Sequence, residues 1–377
     1  GVNFSAAIFK SRMDMCPLVL EDERLKGMGY REFLHYCKNM IRGVYGYTCP
    51  YYKRTYSGRS PSSRTIKLIS RMSEEGVFDP DEVIRVCMDE GVCPYELMKH
   101  KARYADVFVG SYNYILVRPV RTAVFEKNSI PLTRINCVFD EAHNLPEYIM
   151  STLSDEITTI LMEKAVREAE EYDVERLNVI EGILRVCQSI TEKVYKERGL
   201  DEEKLIDLTE FLEMTLKETR LPNMETLLVE LSRMMDRGEK VAKMKRMKGE
   251  APRSYVRRFA EFFKEWFECE RAVYTRYAVA DVTRNGEIYG RFGMSCMDVS
   301  LAAEPINTLR SAILMSGTMW HMDYYVDVLG LDRSRVETMS VADPFRDNRL
   351  ILVDSTVTTR YEERGEEEYR LLAEHLE

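Results

Sequence analysis

The sequence predicts an α/β protein with an open sheet, interrupted by a long helical insertion. Three observations predict it. The apolar runs Ile135-Asn136-Cys137-Val138-Phe139 and Ser311-Ala312-Ile313-Leu314-Met315 have the length and composition of buried core strands. The first ends in Asp140-Glu141, where the ligands of open α/β sheets bind. Between the two, from about Glu156 to Cys269, apolar residues recur at spacings of three and four, as on helices with one buried face.

The 377 residues allow two or three domains. Lys and Arg number 54 against 63 Asp and Glu, a net charge of −9. With 45% hydrophobic and 31% charged residues, the composition is that of folded, soluble protein. No apolar run approaches the ~20 residues of a membrane span, and Gly1 to Lys10 lack the pattern of a secretory signal. The acidic balance excludes a chain coated in basic charge. It does not exclude a nucleic-acid partner, for which the local patch decides.

Nine cysteines, an odd number in a chain too long to need disulfide staples, point to an intracellular, reducing compartment. Five of them (Cys16, Cys37, Cys49, Cys87 and Cys93) lie in the first 93 residues and form a candidate metal site. Cys137, Cys187, Cys269 and Cys296 lie in or beside apolar stretches and read as small buried hydrophobes.

The elements follow in order. Gly43-Val44-Tyr45-Gly46-Tyr47 reads as turns, and Ser57 to Ser63 as a mobile basic loop. Pro80-Asp81-Glu82 opens a short helix through Asp89 that ends at Gly91. Ala105 to Val109 alternates as a strand. Helical stripes run Ile157, Ile160, Leu161 and Ala165; then Leu177, Ile180, Ile183, Leu184 and Cys187; then Leu205, Leu208, Leu212 and Leu216. Phe259, Phe262, Phe263, Trp266 and Phe267 have the spacing of a packed helix face. Tyr277 to Cys296 alternates around Asn285-Gly286, a tight hairpin. Leu350 to Val353 starts a further strand, and an acidic helical tail begins near Glu362.

Asp140-Glu141-Ala142-His143 carries chemistry. At a strand end Asp140 can hold Mg²⁺, Glu141 can orient or deprotonate the attacking water, and His143 can link the nucleotide site to a neighbouring element. Phosphoryl transfer asks of a protein mainly positioning and charge neutralisation, so the set fits NTP hydrolysis. A polar helix N-terminus would also favour acids here.

Asp140-Glu141-Ala142-His143-Asn144-Leu145 resembles the second motif of superfamily 2 iron–sulfur DNA helicases of the xeroderma pigmentosum group D (XPD) type. Met315-Ser316-Gly317-Thr318-Met319 resembles the third motif. Cys93-Pro94-Tyr95, Ala105-Asp106-Val107 and Tyr112-Asn113-Tyr114 resemble the stretch after the last cluster cysteine, and Arg12, four residues before Cys16, matches the family's arginine. The resemblance implies an ATP-driven, 5′-to-3′ DNA helicase. Its first RecA-like motor domain, a parallel sheet, would carry an inserted 4Fe–4S domain and a mostly helical arch. It divides the chain into residues 1–15 (first motor domain), 16–100 (iron–sulfur domain), 101–150 (motor, carboxylate motif), 151–295 (arch), 296–340 (motor, Ser-Gly-Thr motif) and 341–377 (start of the second motor domain). Asp140, Glu141 and His143 would be catalytic, and Ser316, Gly317 and Thr318 would couple ATP to movement. The implied cofactors are 4Fe–4S, ATP and Mg²⁺. The implied partners are single-stranded and forked DNA together with repair or transcription factors, bound by a monomer in the cytoplasm, nucleoid or nucleus, with no membrane involved.

Cys16, Cys37, Cys49 and Cys93 match the family's order of cluster ligands, with Cys87 as the spare. Three of the four read Cys-Pro, and proline's fixed φ helps hold a chain turning round a cluster. By spacing alone zinc remains an alternative, although the gaps of about 20, 11 and 43 residues are not those of paired zinc knuckles. Candidate DNA contacts are Arg12, Lys53 and Arg54 near the cysteines and Tyr112 after them. A second set, Lys243, Lys245 and Arg246, lies in the stretch Arg233 to Arg258, where ten basic and three acidic residues give a local charge of +7. A solvated helix face is the other reading of such a run. No Gly-x-x-x-x-Gly-Lys-Ser/Thr loop and no paired-arginine motif occurs, so the chain reads as a central piece of a longer helicase that does not hydrolyse ATP alone. The alternative is a non-catalytic iron–sulfur module that holds DNA or a partner.

Overall fold

The computed structural model describes residues 4–342, 356–358, 360 and 365–376. They form two units, Gly1–Ser334 and Arg335–Glu377.

The first unit opens with β1 (Ala6–Ile8) and passes into the cysteine-rich segment. There α1 (Pro17–Glu21), α2 (Glu23–Lys26), α3 (Tyr30–Arg42) and α4 (Pro50–Thr55) surround a small core of Val19, Leu25, Met28, Phe33, Tyr36, Met40 and Tyr45. The stretch from Ser57 to Ser63, expected as a mobile loop, folds instead as a short hairpin, β2 (Tyr56–Ser57) and β3 (Ser60–Pro61). Ser62 then accepts a hydrogen bond from the Thr65 N–H and caps α5 (Ser63–Glu75). The helix expected from Pro80 is α6 (Pro80–Glu90), with a capping box between Asp79 and Glu82 and Gly91 ending it at φ 67°. After α7 (Pro94–Ala102), β4 (Val107–Val109) pairs in parallel with β1.

α8 (Asn113–Leu116) and α9 (Arg118–Val124) lead to β5 (Asn136–Phe139) and α10 (Leu145–Leu153). A helical and sheet-containing insertion follows: β6 (Asp155–Thr158), α11 (Thr159–Glu171), α12 (Leu177–Arg198), β7 (Glu203–Leu205), α13 (Leu208–Thr219), α14 (Met224–Met247), α15 (Tyr255–Glu268), β8 (Tyr274–Val282) and β9 (Ile288–Cys296). Its antiparallel sheet has the order β6-β9-β8-β7. The Asn285-Gly286 turn falls where expected, between β8 and β9, with Gly286 at φ 83°. Two expected helix residues are strand residues: Ile157 pairs opposite Phe292, and Leu205 opposite Tyr277. Strands of four and three residues are too short to show a period of two, so their apolar residues merged with the stripes of the helices that follow.

The insertion has its own core. Phe259, Phe262, Phe263, Trp266 and Phe267 are all at most 4% exposed and pack with Phe211 and Phe292. Where α14 meets α15, a Cβ on Gly238 would stand 2.6 Å from Arg257 Cβ and 2.7 Å from its backbone nitrogen. Backbone cannot rotate away as a side chain can. Gly238→Ala is therefore expected to lower stability by about 1–3 kcal/mol despite alanine's better helix propensity, read as a lower urea midpoint. An unchanged midpoint would mean that the two helices separate without cost.

The chain returns through α16 (Ser300–Thr308) to β10 (Ser311–Leu314), which lies parallel to β5, with Ala312 opposite Cys137, and then forms α17 (Met322–Val328). The described residues thus hold two separate parallel pairs, β1-β4 and β10-β5, rather than one parallel sheet. β5 and β10 were expected to be buried. Phe139 is, at 2% exposed, but Val138 and Ile313 on the other face are 59% and 57% exposed. Of the four cysteines expected in cores, Cys187 and Cys296 are buried, and Cys137 and Cys269 are half-buried. In the second unit the acidic tail forms α18 (Glu366–Leu376). The expected strand at 350–353 lies outside the described residues. No helix among the described residues is long and apolar enough to cross a membrane.

Candidate functional site

The parallel ladder brings two sequence motifs together. Beyond the strand ends, the Met315 N–H donates to the Phe139 carbonyl (3.0 Å) and the Ala142 N–H to the Met315 carbonyl (2.9 Å). This seats Ser316 against the carboxylate motif, 175 residues from Glu141. Ser316 Oγ donates to Glu141 Oε2 (3.1 Å), lies 2.7 Å from His143 Nδ1 and accepts from the Thr318 N–H (3.1 Å). His143 Nδ1 also lies 3.1 Å from Glu141 Oε2. Glu141, His143, Ser316 and Thr318 are thus one hydrogen-bonded cluster, and Asp140 and Gly317 are exposed beside it.

Glu141 has φ 50°, a left-handed conformation that costs a non-glycine residue about 1–3 kcal/mol and is tolerated only where neighbours hold it. Tyr112 is one holder. Its hydroxyl is shared between the carbonyls of Asp140 and Glu141, and its ring packs on Phe139 and Tyr148. The Asp140 carboxylate also accepts from the Glu141 N–H (3.0 Å). Tyr112 was expected to touch DNA; the structure places it behind the carboxylate turn.

Cys16, Cys37, Cys49 and Cys93 line one cavity together with Arg12, Tyr36, Tyr51, Tyr52 and Tyr95. Each Cys-Pro step makes the cysteine an N-cap and the proline the first helical residue, at α1, α4 and α7. No cysteine side chain makes a cap hydrogen bond, but the nearby helix-start amides of Val19 and Leu18 at Cys16, Tyr52 and Tyr51 at Cys49 and Glu96 at Cys93 act to lower the thiol pKa values. Such donors favour a thiolate. Burial opposes them and prevails, pushing Cys16 up to about 12 and Cys93 well above the usual thiol range. A metal would have to displace these protons. Among the described residues no three His, Cys, Asp or Glu side chains are close enough to share one metal ion, as zinc with four sulfurs at about 2.3 Å would require. Cys87 packs on α6, fully buried and apart from the cavity lining.

Arg12 belongs to this cavity. Its Nη2 pairs with Glu96 Oε1 at 2.5 Å, its guanidinium lies 4.8 Å from the Tyr95 ring centre, and its buried Nε has no partner among the described residues. Glu96 is 3% exposed; its Oε2 accepts from Tyr56 Oη (2.7 Å) and Lys99 Nζ (2.7 Å). Burial alone would raise the Glu96 pKa, but the Lys99 and Arg12 charges and these hydrogen bonds outweigh it and hold the carboxyl below its usual value. Sequence reading missed Glu96, because an acid in a first helical turn looks like a response to the helix dipole. Lys53 and Arg54 are exposed in the last turn of α4.

The +7 stretch is partly neutralised by ion pairs, four of them with acids more than 60 residues away. Arg233 pairs with Glu230, Arg237 with Glu175, Lys245 with Glu168, Arg246 with Asp22, Arg257 with Glu239 and Glu261, and Arg258 with Asp155. Glu168, 3% exposed, also accepts from Ser254 Oγ and the Val256 N–H. Arg246 reaches Tyr47 Oη (2.9 Å) and ties α14 to the cysteine-rich segment. Arg24 Nη1 does likewise, donating to the Gly249 carbonyl (2.6 Å). Of the expected DNA contacts here, Lys245 and Arg246 thus have internal partners. Lys240, Lys243, Lys248 and Arg253 are exposed or half-buried and form no ion pair among the described residues.

This frame agrees with known proteins. DEAD_2 matches residues 1–162, and the helical and beta-bridge domain matches residues 165–363. A solved XPD helicase superposes on 100% of this chain and 57% of its own, with a TM-score of 0.53 and 18% identity. The general transcription and DNA repair factor IIH helicase subunit XPD/RAD3 of Saccharomyces cerevisiae is 28% identical over 109 residues, 29% of this chain and 14% of that protein. A regulator of telomere elongation helicase 1 homolog of Oryza sativa is 22% identical over 361 residues, 86% of this chain and 34% of that protein. The chain therefore spans about a third or less of these curated relatives. It belongs to the XPD-type family of superfamily 2 helicases, with a DEAD_2 region followed by a helical and beta-bridge domain.

Proposed function

We propose that the chain works within an ATP-dependent DNA helicase that unwinds duplex DNA in the 5′-to-3′ direction. The observation that carries this reading is the cluster of Glu141, His143, Ser316 and Thr318, which joins the carboxylate motif to the Ser-Gly-Thr turn. In it Asp140 is the Mg²⁺-holding carboxylate and Glu141 orients and deprotonates the attacking water. His143 and Ser316 hold the Glu141 carboxylate in line and pass any change at it to β10. Gly317 and Thr318 complete the coupling turn.

Residues 16–100 are the iron–sulfur domain, with Cys16, Cys37, Cys49 and Cys93 as the ligands of a 4Fe–4S cluster. Residues 151–295 are the arch. Residues 1–15, 101–150 and 296–340 belong to the first motor domain and 341–377 to the start of the second. Repair or transcription factors are the fitting partners. The second reading, a non-catalytic iron–sulfur module, is favoured by one observation: no Gly-x-x-x-x-Gly-Lys-Ser/Thr loop occurs in the 377 residues.

Single-stranded DNA would meet Lys53, Arg54 and the unpaired cations of α14 and the loop after it. Changing Lys240, Lys243, Lys248 and Arg253 together to Glu should weaken binding of a fluorescent single strand at least tenfold at low salt and flatten the slope of log affinity against log salt. The melting point should hold for the Lys240 and Lys243 changes alone, whereas Lys248 and Arg253 also give up contacts with the Tyr172 and Tyr255 rings. Unchanged affinity would remove this face from the DNA path. Lys245→Glu and Arg246→Glu are unsuitable for that test, because each places a second acid against Glu168 or Asp22.

A further inference from the structure

We propose that Glu96 is the positioning residue of the cysteine cavity: it fixes the Arg12 guanidinium beside the four sulfurs and so sets how readily a bound cluster accepts an electron. This rests on the iron–sulfur reading above. The geometry leaves Arg12 little freedom. Glu96 Oε1 holds one guanidinium arm at 2.5 Å, and the Tyr95 ring holds the plane at 4.8 Å. Glu96 is itself fixed, with its other oxygen occupied by Tyr56 and Lys99 and its side chain 3% exposed. Arg12 lines the cavity, and its Nε–H is buried and without a partner among the described residues. A buried donor left unmet is costly, and the cysteine sulfurs are among the acceptors that line this cavity.

A cluster held by four thiolates is anionic and becomes more so on reduction. Nearby cations and N–H donors to sulfur make that step easier, and nearby anions make it harder. Glu96 therefore has two opposed effects. Its charge offsets Arg12, while its grip keeps Arg12 at the sulfurs.

Glu96→Gln separates the two, since the amide oxygen can still accept from Arg12 but the negative charge is gone. The test uses the chain of residues 1–377, purified anaerobically and titrated with dithionite against redox dyes, with reduced cluster followed by electron paramagnetic resonance. Glu96→Gln should raise the reduced-to-oxidised ratio at a fixed potential at least tenfold, about 59 mV for one electron. Arg12→Gln should lower it. Pulsed measurement should detect nitrogen coupling from arginine in the wild type and lose it in Glu96→Ala. A Glu96→Ala protein with the full iron content, an unchanged ratio and the arginine coupling retained would overturn the proposal alone. Wild-type protein without iron would overturn the iron–sulfur reading and this proposal with it.

Discussion

Cys93→Ser, purified without oxygen, is expected to contain less than one iron per chain where the wild type contains about four, and to lose the brown absorbance near about 400 nm. Cys93 joins three structural layers. It caps α7, its N–H donates to Thr55 Oγ1 (2.8 Å), and Thr55 is the fully buried last residue of α4, which the Cys49-Pro50 step opens. Burial pushes its thiol well above the usual range, and a serine hydroxyl is a far weaker ligand for iron. The effect extends beyond colour. The local core of the segment contains seven buried apolar side chains, a size at which natural domains depend on a staple such as a metal. Residues 16–92 should become sensitive to protease, with early cuts in the turn at 43–47. Cys87→Ser is the matched control, because its sulfur packs on α6 away from the cavity; it should keep its iron. A single zinc per wild-type chain in metal analysis would refute the cluster.

Glu141→Gln is the second large effect. In the full-length gene product it should lower DNA-stimulated ATP turnover by about 10²–10⁴-fold, the usual contribution of a general base. The change is nearly isosteric, so the turn held by Tyr112 and the contact with Ser316 can persist, and DNA affinity should stay within about twofold. The 377-residue chain itself should hydrolyse ATP at background, because no phosphate-cradling lysine loop occurs in it. Robust DNA-stimulated turnover by this chain would refute that expectation. Background turnover in the full-length product, with DNA binding intact, would favour the non-catalytic module instead.

The strands that carry the motifs were legible because a short apolar run followed by Asp-Glu, or by Ser-Gly-Thr, is a local pattern. The Phe259 to Phe267 face and the Asn285-Gly286 turn were legible for the same reason. What escaped was long-range. The +7 of residues 233–258 is a true local count, but four of its neutralising acids, Asp22, Asp155, Glu168 and Glu175, sit between 62 and 224 residues from their partners. Arg12 and Glu96 are 84 residues apart and meet only because α7 packs behind β1. The four cysteines were found by their order. Their role as helix caps followed only once the Cys-Pro steps were seen to start helices.

The two parallel pairs have a kinetic corollary. Neighbouring parallel strands must be joined by a crossover, and an ordinary one is a single helix. Here the crossover from β1 to β4 is residues 9–106, and that from β5 to β10 is residues 140–310. Loop-closure entropy grows only logarithmically with length, so the native pairs bear little thermodynamic penalty for this. Rates respond differently, since distant pairings form late and local helix contacts form early. Both inserts can assemble on their own contacts before either pair closes. The cluster of Glu141, His143 and Ser316, which needs β10 against β5, is then among the last parts of this chain to form, and the cysteine cavity need not wait for it.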